Sequence, residues 1–248
     1  MIDTHAHLDA CAEAADTLIL RARSVGVERI VAIGSGIASC RATLALTEQH
    51  EGVFAALGVH PHQAGGEDVG RLDELRALLG NDRVVAVGET GLDFFRDYAP
   101  HDAQKRLFQS ELELAGDLGL PVVVHSRAAD EDTIDALAGF EGTVVLHCFS
   151  SPRLLPAALE RGYYVSFAGN VTFPNARDLR IAATRVPDDR LLVETDAPYL
   201  APQPVRGRPN EPAHVVHPVA ALAELRGVNA DGLAAQIDAN AAAAFGLP

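Results

Sequence analysis

The 248 residues suffice for one full (β/α)8 barrel, which takes about 250, and 48% of them are hydrophobic, enough for a sizeable core. Acidic residues outnumber basic ones 34 to 20, and the net charge of −14 argues against a non-specific nucleic-acid-binding module while allowing an enzyme with local cations. No apolar run reaches membrane-spanning length, and no basic segment followed by an apolar stretch opens the chain, so neither a membrane protein nor a secretory leader is expected.

The predicted elements alternate, strand then helix, from end to end. A first strand over 1–3 leads to His5 and His7, two apart and therefore on one side of an extended segment, where two imidazoles chelate one metal. Asp3 shares that side, either as a further ligand or as the group that orients one. A helix over 13–25, a strand over 29–33, a helix over 40–50 and a strand over 54–58 follow. Beyond that third strand stands a second His-x-His, His60 and His62. It is open to three readings: a phosphate contact, support for a ligand, or a further metal site. A helix over 72–79 precedes the fourth strand, 84–88, which runs into Gly88-Glu89-Thr90-Gly91. The glycines allow a tight turn, and the two carboxylate oxygens of Glu89 make it the best candidate to bridge two cations.

A helix over 103–118 comes next, with Leu107, Leu114 and Leu118 on one face and Asp102 as its expected cap. The fifth strand, 122–124, ends at His125 and the sixth, 144–146, at His147. The same placement on neighbouring strands makes two unrelated core histidines a poor explanation. Cys148 follows His147, so on a strand its side chain points the other way and is expected to be a small buried apolar group. Helices over 130–137, 152–161 and 176–185 flank the sixth strand and the seventh, 163–167. The eighth strand, 191–193, leads to Glu194-Thr195-Asp196. In a closed barrel Asp196 approaches His5 and His7, where it binds a metal and takes a proton from the attacking water. Glu194, deeper on the same side, orients a ligand. Residues 197–212 are proline-rich and read as an ordered irregular loop, and helical material resumes over 213–245.

Eight strands alternating with helices, without a composition break, predict an α/β chain folded as a (β/α)8 TIM barrel, with 1–248 as a single domain. The strand ends of such a barrel meet at one mouth. His5, His7, Glu89, His125, His147 and Asp196 would gather there and suggest a two-metal hydrolytic site. Histidine with carboxylate suits zinc, manganese or another transition metal, whereas magnesium prefers oxygen. Phosphate candidates are Arg96, Arg127, Arg206 and Arg208, with Arg127 favoured because it follows His125 at the mouth. The 3 cysteines, an odd number without CxxC spacing, fit a reducing compartment and hence a cytoplasmic location.

These residues resemble the TatD family of metal-dependent deoxyribonucleases, within the amidohydrolase-like barrels. The matching pieces are Asp3-Thr4-His5-Ala6-His7-Leu8-Asp9, Gly58-Val59-His60-Pro61-His62, Gly88-Glu89-Thr90-Gly91-Leu92-Asp93 and His125-Ser126-Arg127. His147-Cys148-Phe149-Ser150, Ser166-Phe167-Ala168-Gly169, Glu194-Thr195-Asp196-Ala197-Pro198-Tyr199 and Arg206-Gly207-Arg208-Pro209-Asn210-Glu211-Pro212 follow in the family's order, and Asn240 and Phe245 resemble its closing pattern. The resemblance implies a TIM barrel, with His5, His7, Glu89 and Asp196 around one divalent cation and Glu89, His125 and His147 around a second. It implies nuclease activity on DNA with magnesium, often from the 3′ end, so single-stranded DNA ends are the expected partner and no obligate protein partner is expected. His62 and Arg127 are the candidate substrate contacts. A carboxylated lysine, the metal bridge of some related barrels, is not expected, since Lys105 is the only lysine and falls within a helix. Ala128-Ala129, Ser151 and Pro174 depart from the family pattern near the mouth, which bears on substrate rather than on hydrolysis. Two other readings stand beside the exonuclease. One is hydrolysis of D-aminoacyl-tRNA or another ester or amide at the same metals; the other is a non-catalytic metal-binding scaffold.

Overall fold

Short β-branched runs separated by amphipathic segments permit only parallel neighbours, because each connection must cross back over the sheet. The computed structural model describes residues 1–248, and in it eight strands follow one another in sequence order, each parallel to the next. They are β1 (Ile2–Ala6), β2 (Arg29–Ser35), β3 (Val53–Gly58), β4 (Val84–Asp93), β5 (Val122–Arg127), β6 (Val144–Leu146), β7 (Tyr164–Phe167) and β8 (Leu191–Val193). Between and after them lie α1 (Ala15–Ser24), α2 (Ile37–Gln49), α3 (Leu72–Leu79), α4 (His101–Leu118), α5 (Asp130–Ala136), α6 (Leu155–Glu160), α7 (Arg177–Ala183), α8 (Val216–Arg226) and α9 (Ala230–Phe245).

Every residue of β1, β3 and β4 is buried. That is the expected state of a strand covered by the barrel interior on one face and by helices on the other. The helices supply their share through a stripe at helical spacing. In α4, Leu107, Phe108, Leu112 and Ala115 are buried while Lys105, Arg106 and Glu113 face water. Each large side chain in such a stripe contributes about 1.5–3 kcal/mol by leaving water. The left-handed Gly119 then ends the helix and returns the chain to β5.

The sheet closes through the residues that follow β8. Thr4 Oγ1 donates to Val193 O at 2.8 Å, Asp196 N to His5 O at 2.9 Å and His7 N to Ala197 O at 2.8 Å. The same bonds that shut the barrel therefore bring Asp196 against His5 and His7.

Four strands run further than their apolar cores predict, β2 by two residues, to Ser35. β1 reaches Ala6, β4 reaches Asp93 and β5 reaches Arg127. The parallel ladder continues through polar residues, pairing Thr90 with Val124, Gly91 with His125 and Asp93 with Arg127. α4 starts two residues early, at His101, with Pro100 at its cap position. Asp102 therefore lies in the first turn and makes no capping hydrogen bond, although its charge still faces the positive end of the helix. The segment after β8 is irregular but tied. Asn210 Nδ2 donates to Thr195 O and Tyr199 O, at 2.8 and 2.6 Å. Helix α9 is capped by Asn229, whose side chain accepts from the Asp231 and Gly232 amides.

Candidate metal centre

The carboxyl ends of β1, β4, β5 and β6, with the turn after β8, bring all six expected side chains to one mouth. His5 Nε2 and His7 Nε2 lie 3.2 Å apart. Glu89 Oε2 is 3.6 and 3.4 Å from them, and Asp196 Oδ1 is 3.8 and 3.6 Å away. On its other side, Glu89 Oε1 faces His125 Nδ1 and His147 Nε2, each at 2.9 Å, and His60 Nε2 at 3.3 Å. Donors about 3.4 Å apart are what a tetrahedral site with ligand bonds near 2.1 Å requires. The spacing around Glu89 Oε2 is close to that value, and imidazole with carboxylate is a donor set for divalent cations, so the residues fit the metal that the motifs imply.

Carboxylates hold the outer nitrogens of two of these rings. His147 Nδ1 is 3.0 Å from Glu194 Oε1, which also accepts from the Cys148 amide at 2.7 Å. His125 Nε2 is 3.2 Å from Asp93 Oδ2. Such contacts fix the ring and raise its basicity as a ligand. His5 is held differently: its Nδ1 is buried without a partner, and its ring stacks on His147 at 3.9 Å. Asp3 does not join the cluster. It accepts from Thr195 N and Oγ1, at 2.9 and 2.5 Å, and so ties β1 to the turn that presents Asp196.

The electrostatics follow from crowding these groups away from water. Burial opposes the charge on Glu89, but His147 and His60 outweigh it and hold the carboxyl well below its usual range. Burial likewise opposes the Asp196 charge, and His7, with His147 and His5, more than offsets it. At His7 the cost of burial is overcome by Asp196 and Glu89, which lift the imidazole to about 10. His5 is pushed down, first by burial and then by the adjacent His147.

Other predicted residues fall as follows. His62 turns its Nε2 to Asp93 Oδ2 at 2.8 Å, at the cavity wall, while His60 enters the cluster around Glu89. Arg96, Arg127 and Arg206 line the cavity, which measures about 1020 Å³; Arg208 does not. Lys105 pairs with Asp132 on the exposed side of α4, far from a bridging role. Cys148 corrects an expectation. Its backbone is left-handed (φ 44°), so strand alternation fails there, and the thiol is half-buried in the cavity wall near Asp196. A second groove, about 990 Å³, lies at the opposite end of the barrel and has no histidine, cysteine or cation in its lining. Its polar lining includes carboxylates such as Asp82, Asp117 and Asp135, without the imidazoles that accompany them at the mouth.

One supporting residue escapes a reading based on strand ends, and another, the glycine expected in a tight turn after the fourth strand, lies inside β4 instead. Glu111 lies on the buried stripe of α4. Its Oε1 accepts from Val59 N at 2.7 Å, next to His60, and its Oε2 accepts from Thr90 Oγ1 at 2.6 Å, next to Glu89. Gly91 has φ 129°, and a Cβ there would sit 2.1 Å from His125 O. An acidic residue at a core position of a helix and a glycine inside a strand are the signals that mark them.

The family model described as TatD related DNase matches residues 2–246. A Mycobacterium tuberculosis protein, described as the uncharacterised metal-dependent hydrolase TatD, is 40% identical over 260 residues, covering 100% of this chain and 98% of its own. A protein of Erwinia amylovora named 3′-5′ ssDNA/RNA exonuclease TatD is 38% identical over 242 residues, covering 94% and 93%. The crystal structure of YJJV, a TatD homologue from Escherichia coli, superposes with a TM-score of 0.93 at 32% identity, covering 100% of this chain and 98% of that one.

Proposed function

The chain belongs to the TatD-related DNase family and is a metal-dependent hydrolase acting on ester bonds, and from that premise we propose that it is a 3′–5′ exodeoxyribonuclease shortening single-stranded DNA. The observation that carries this reading is the position of Glu89. One carboxylate oxygen faces His5 and His7, and the other faces His125 and His147. That division suits a pair of cations sharing one carboxylate, with His5, His7, Glu89 and Asp196 holding one and Glu89, His125 and His147 the other. When bound, magnesium or manganese in turnover, or zinc or another transition metal as isolated, supplies Lewis-acid polarisation of the scissile phosphate and a more acidic water.

The chain's own residues do the rest. Asp196, held ionised by His7, accepts the proton that the attacking water gives up. Arg127, beside His125 on the cavity wall, binds phosphate oxygens as charge builds, and His62 offers a second contact. All 248 residues serve this one catalytic domain. Three free cysteines suit a cytoplasmic location, and no helix is long and apolar enough to cross a membrane.

The test is turnover of single-stranded DNA by metal-stripped protein resupplied with one cation at a time, beside Glu89→Ala. Stepwise loss from the 3′ end, restored by metal and reduced at least about 1000-fold in the variant, is the expected result. A Glu89→Ala protein that retains wild-type turnover would overturn it. Stoichiometric metal without DNA cleavage would move the assignment to esters such as D-aminoacyl-tRNA.

A further inference from the structure

Most of the aromatic rings in this chain are buried or half-buried, as their area dictates. Three are not: Phe95, Tyr98 and Tyr199 are 60%, 65% and 55% exposed. All three stand at the mouth. Phe95 and Tyr98 lie in the loop between β4 and α4, and Tyr199 lies in the loop after β8. Tyr98 packs against His62 at 4.8 Å, Tyr199 against His7 at 5.7 Å, and both rings line the cavity. They therefore flank the metal-ligand cluster from two sides.

The arginines of the same cavity show a matching pattern. Arg96, Arg127 and Arg206 have no carboxylate within salt-bridge distance, although acidic residues outnumber basic ones in this chain. Each lies over an aromatic ring instead. Arg127 sits 4.1 Å from the Phe95 centroid, Arg96 sits 5.6 Å from the same ring, and Arg206 sits 4.4 Å from Phe173. A guanidinium held by a ring face keeps in-plane N–H donors for an incoming anion, which a carboxylate partner would occupy; only Arg206 spends one, from Nη1 to Ala201 O at 3.3 Å.

We propose that Phe95, Tyr98 and Tyr199 form a collar on which the unpaired bases of a single-stranded nucleic acid end stack, while the ring-held arginines take the phosphates between them. This rests on the nuclease reading above and names how that site selects its substrate. Stacking is tolerant of sequence, because every base has a π face. A duplex end, whose bases already stack on one another, gains nothing from the collar.

The experiment compares kcat/KM on two single-stranded oligonucleotides that differ only in their 3′ nucleotide, one with a normal base and one abasic. Wild-type protein, Phe95→Ala, Tyr98→Ala, Tyr199→Ala and the conservative Phe95→Tyr, Tyr98→Phe and Tyr199→Phe are run with the same cation. A parallel binding assay uses a phosphorothioate-protected strand ending in 2-aminopurine, whose fluorescence falls on stacking. The wild type is expected to prefer the base-bearing end by about 10-fold or more. At least one alanine variant should bring that ratio close to one and lose the quenching, and its ring-preserving counterpart should restore both. A misfolded variant would lower both rates together and leave the ratio in place. Efficient cleavage with a wild-type ratio near one, or a ratio that none of the variants moves, overturns the collar and leaves the nuclease intact. No cleavage with any cation, but quenching that depends on the rings, overturns the exonuclease and keeps the collar. Loss of both overturns both.

Discussion

Asp93 divides its carboxylate between two tasks. Oδ1 accepts from the amides of Phe95 and Arg96, both at 2.9 Å, which fixes the turn that carries the exposed ring. Oδ2 faces His62 Nε2 at 2.8 Å and His125 Nε2 at 3.2 Å. The carboxyl is held below its usual range because His125 and His62, with the Arg96 amide, outweigh the cost of burial. Asp93→Asn keeps the shape but replaces one acceptor with a donor, so either the turn or the histidine pair loses its partner. Changes of this kind behind a metal ligand cost about 10- to 100-fold in affinity or rate. The expected outcome is a drop of that size in kcat/KM, with less metal retained after dialysis, read by elemental analysis. Wild-type metal content together with wild-type kcat/KM would show that Asp93 orients nothing that matters.

At the scale of the elements, Glu111 shows how a helix supports a site it does not enter. Its two hydrogen bonds join the ends of β3 and β4, next to His60 and Glu89. Burial lifts its carboxyl to about 8, against the Thr90 and Val59 donors that favour the charge. In the unfolded chain a glutamate titrates near 4.3, so folding takes up a proton between about pH 4.3 and 8. A raised folded value means that the stability from this group is complete below the unfolded value and is lost as pH rises through 8. Glu111→Gln cannot titrate and keeps an acceptor for Val59. Its stability relative to wild type should therefore climb from pH 5 to about 8, by at most about 1.4 kcal/mol per pH unit, and level off by pH 9, in urea unfolding. A difference that stays flat over that range would mean the carboxyl is not buried neutral. The same elements show what the sequence made legible. All eight strands were visible, as was the gathering of His5, His7, Glu89, His125, His147 and Asp196 at one mouth, because a barrel puts chemistry directly after an apolar run. The lengths of β1, β4 and β5 were not, since hydrophobicity stops where the ligands start while the backbone ladder continues. Glu111 carries no sequence signal of this kind, and Gly91, expected in a tight turn, instead continues β4 beside His125, for a related reason: both roles depend on which strand or amide lies opposite, and that is a tertiary fact. Cys148 was misplaced because strand alternation was assumed beyond the last residue of β6, where the backbone turns left-handed.

For the whole molecule, the proposed nuclease must combine a net charge of −14 with a substrate that is itself a polyanion. Long-range repulsion slows the encounter, and salt relieves it by screening. The local attraction works in the opposite sense, because each phosphate neutralised by an arginine releases counterions and is weakened by salt. With Arg96, Arg127 and Arg206 as the cations of the cavity, a single strand should give a log–log salt slope near about −2 from counterion release alone. Screening of the acidic surface then pulls the observed slope toward zero. A protein that tracks the strand along a basic groove makes about 6–10 phosphate contacts and falls several times more steeply. The expected result is a slope between 0 and about −2 for kcat/KM on single-stranded DNA, between about 50 and 200 mM salt at fixed cation. Arg127→Ala should flatten it further, as one fewer phosphate is neutralised. A slope steeper than about −4 would place most of the binding outside the mouth and contradict a footprint confined to the last few nucleotides.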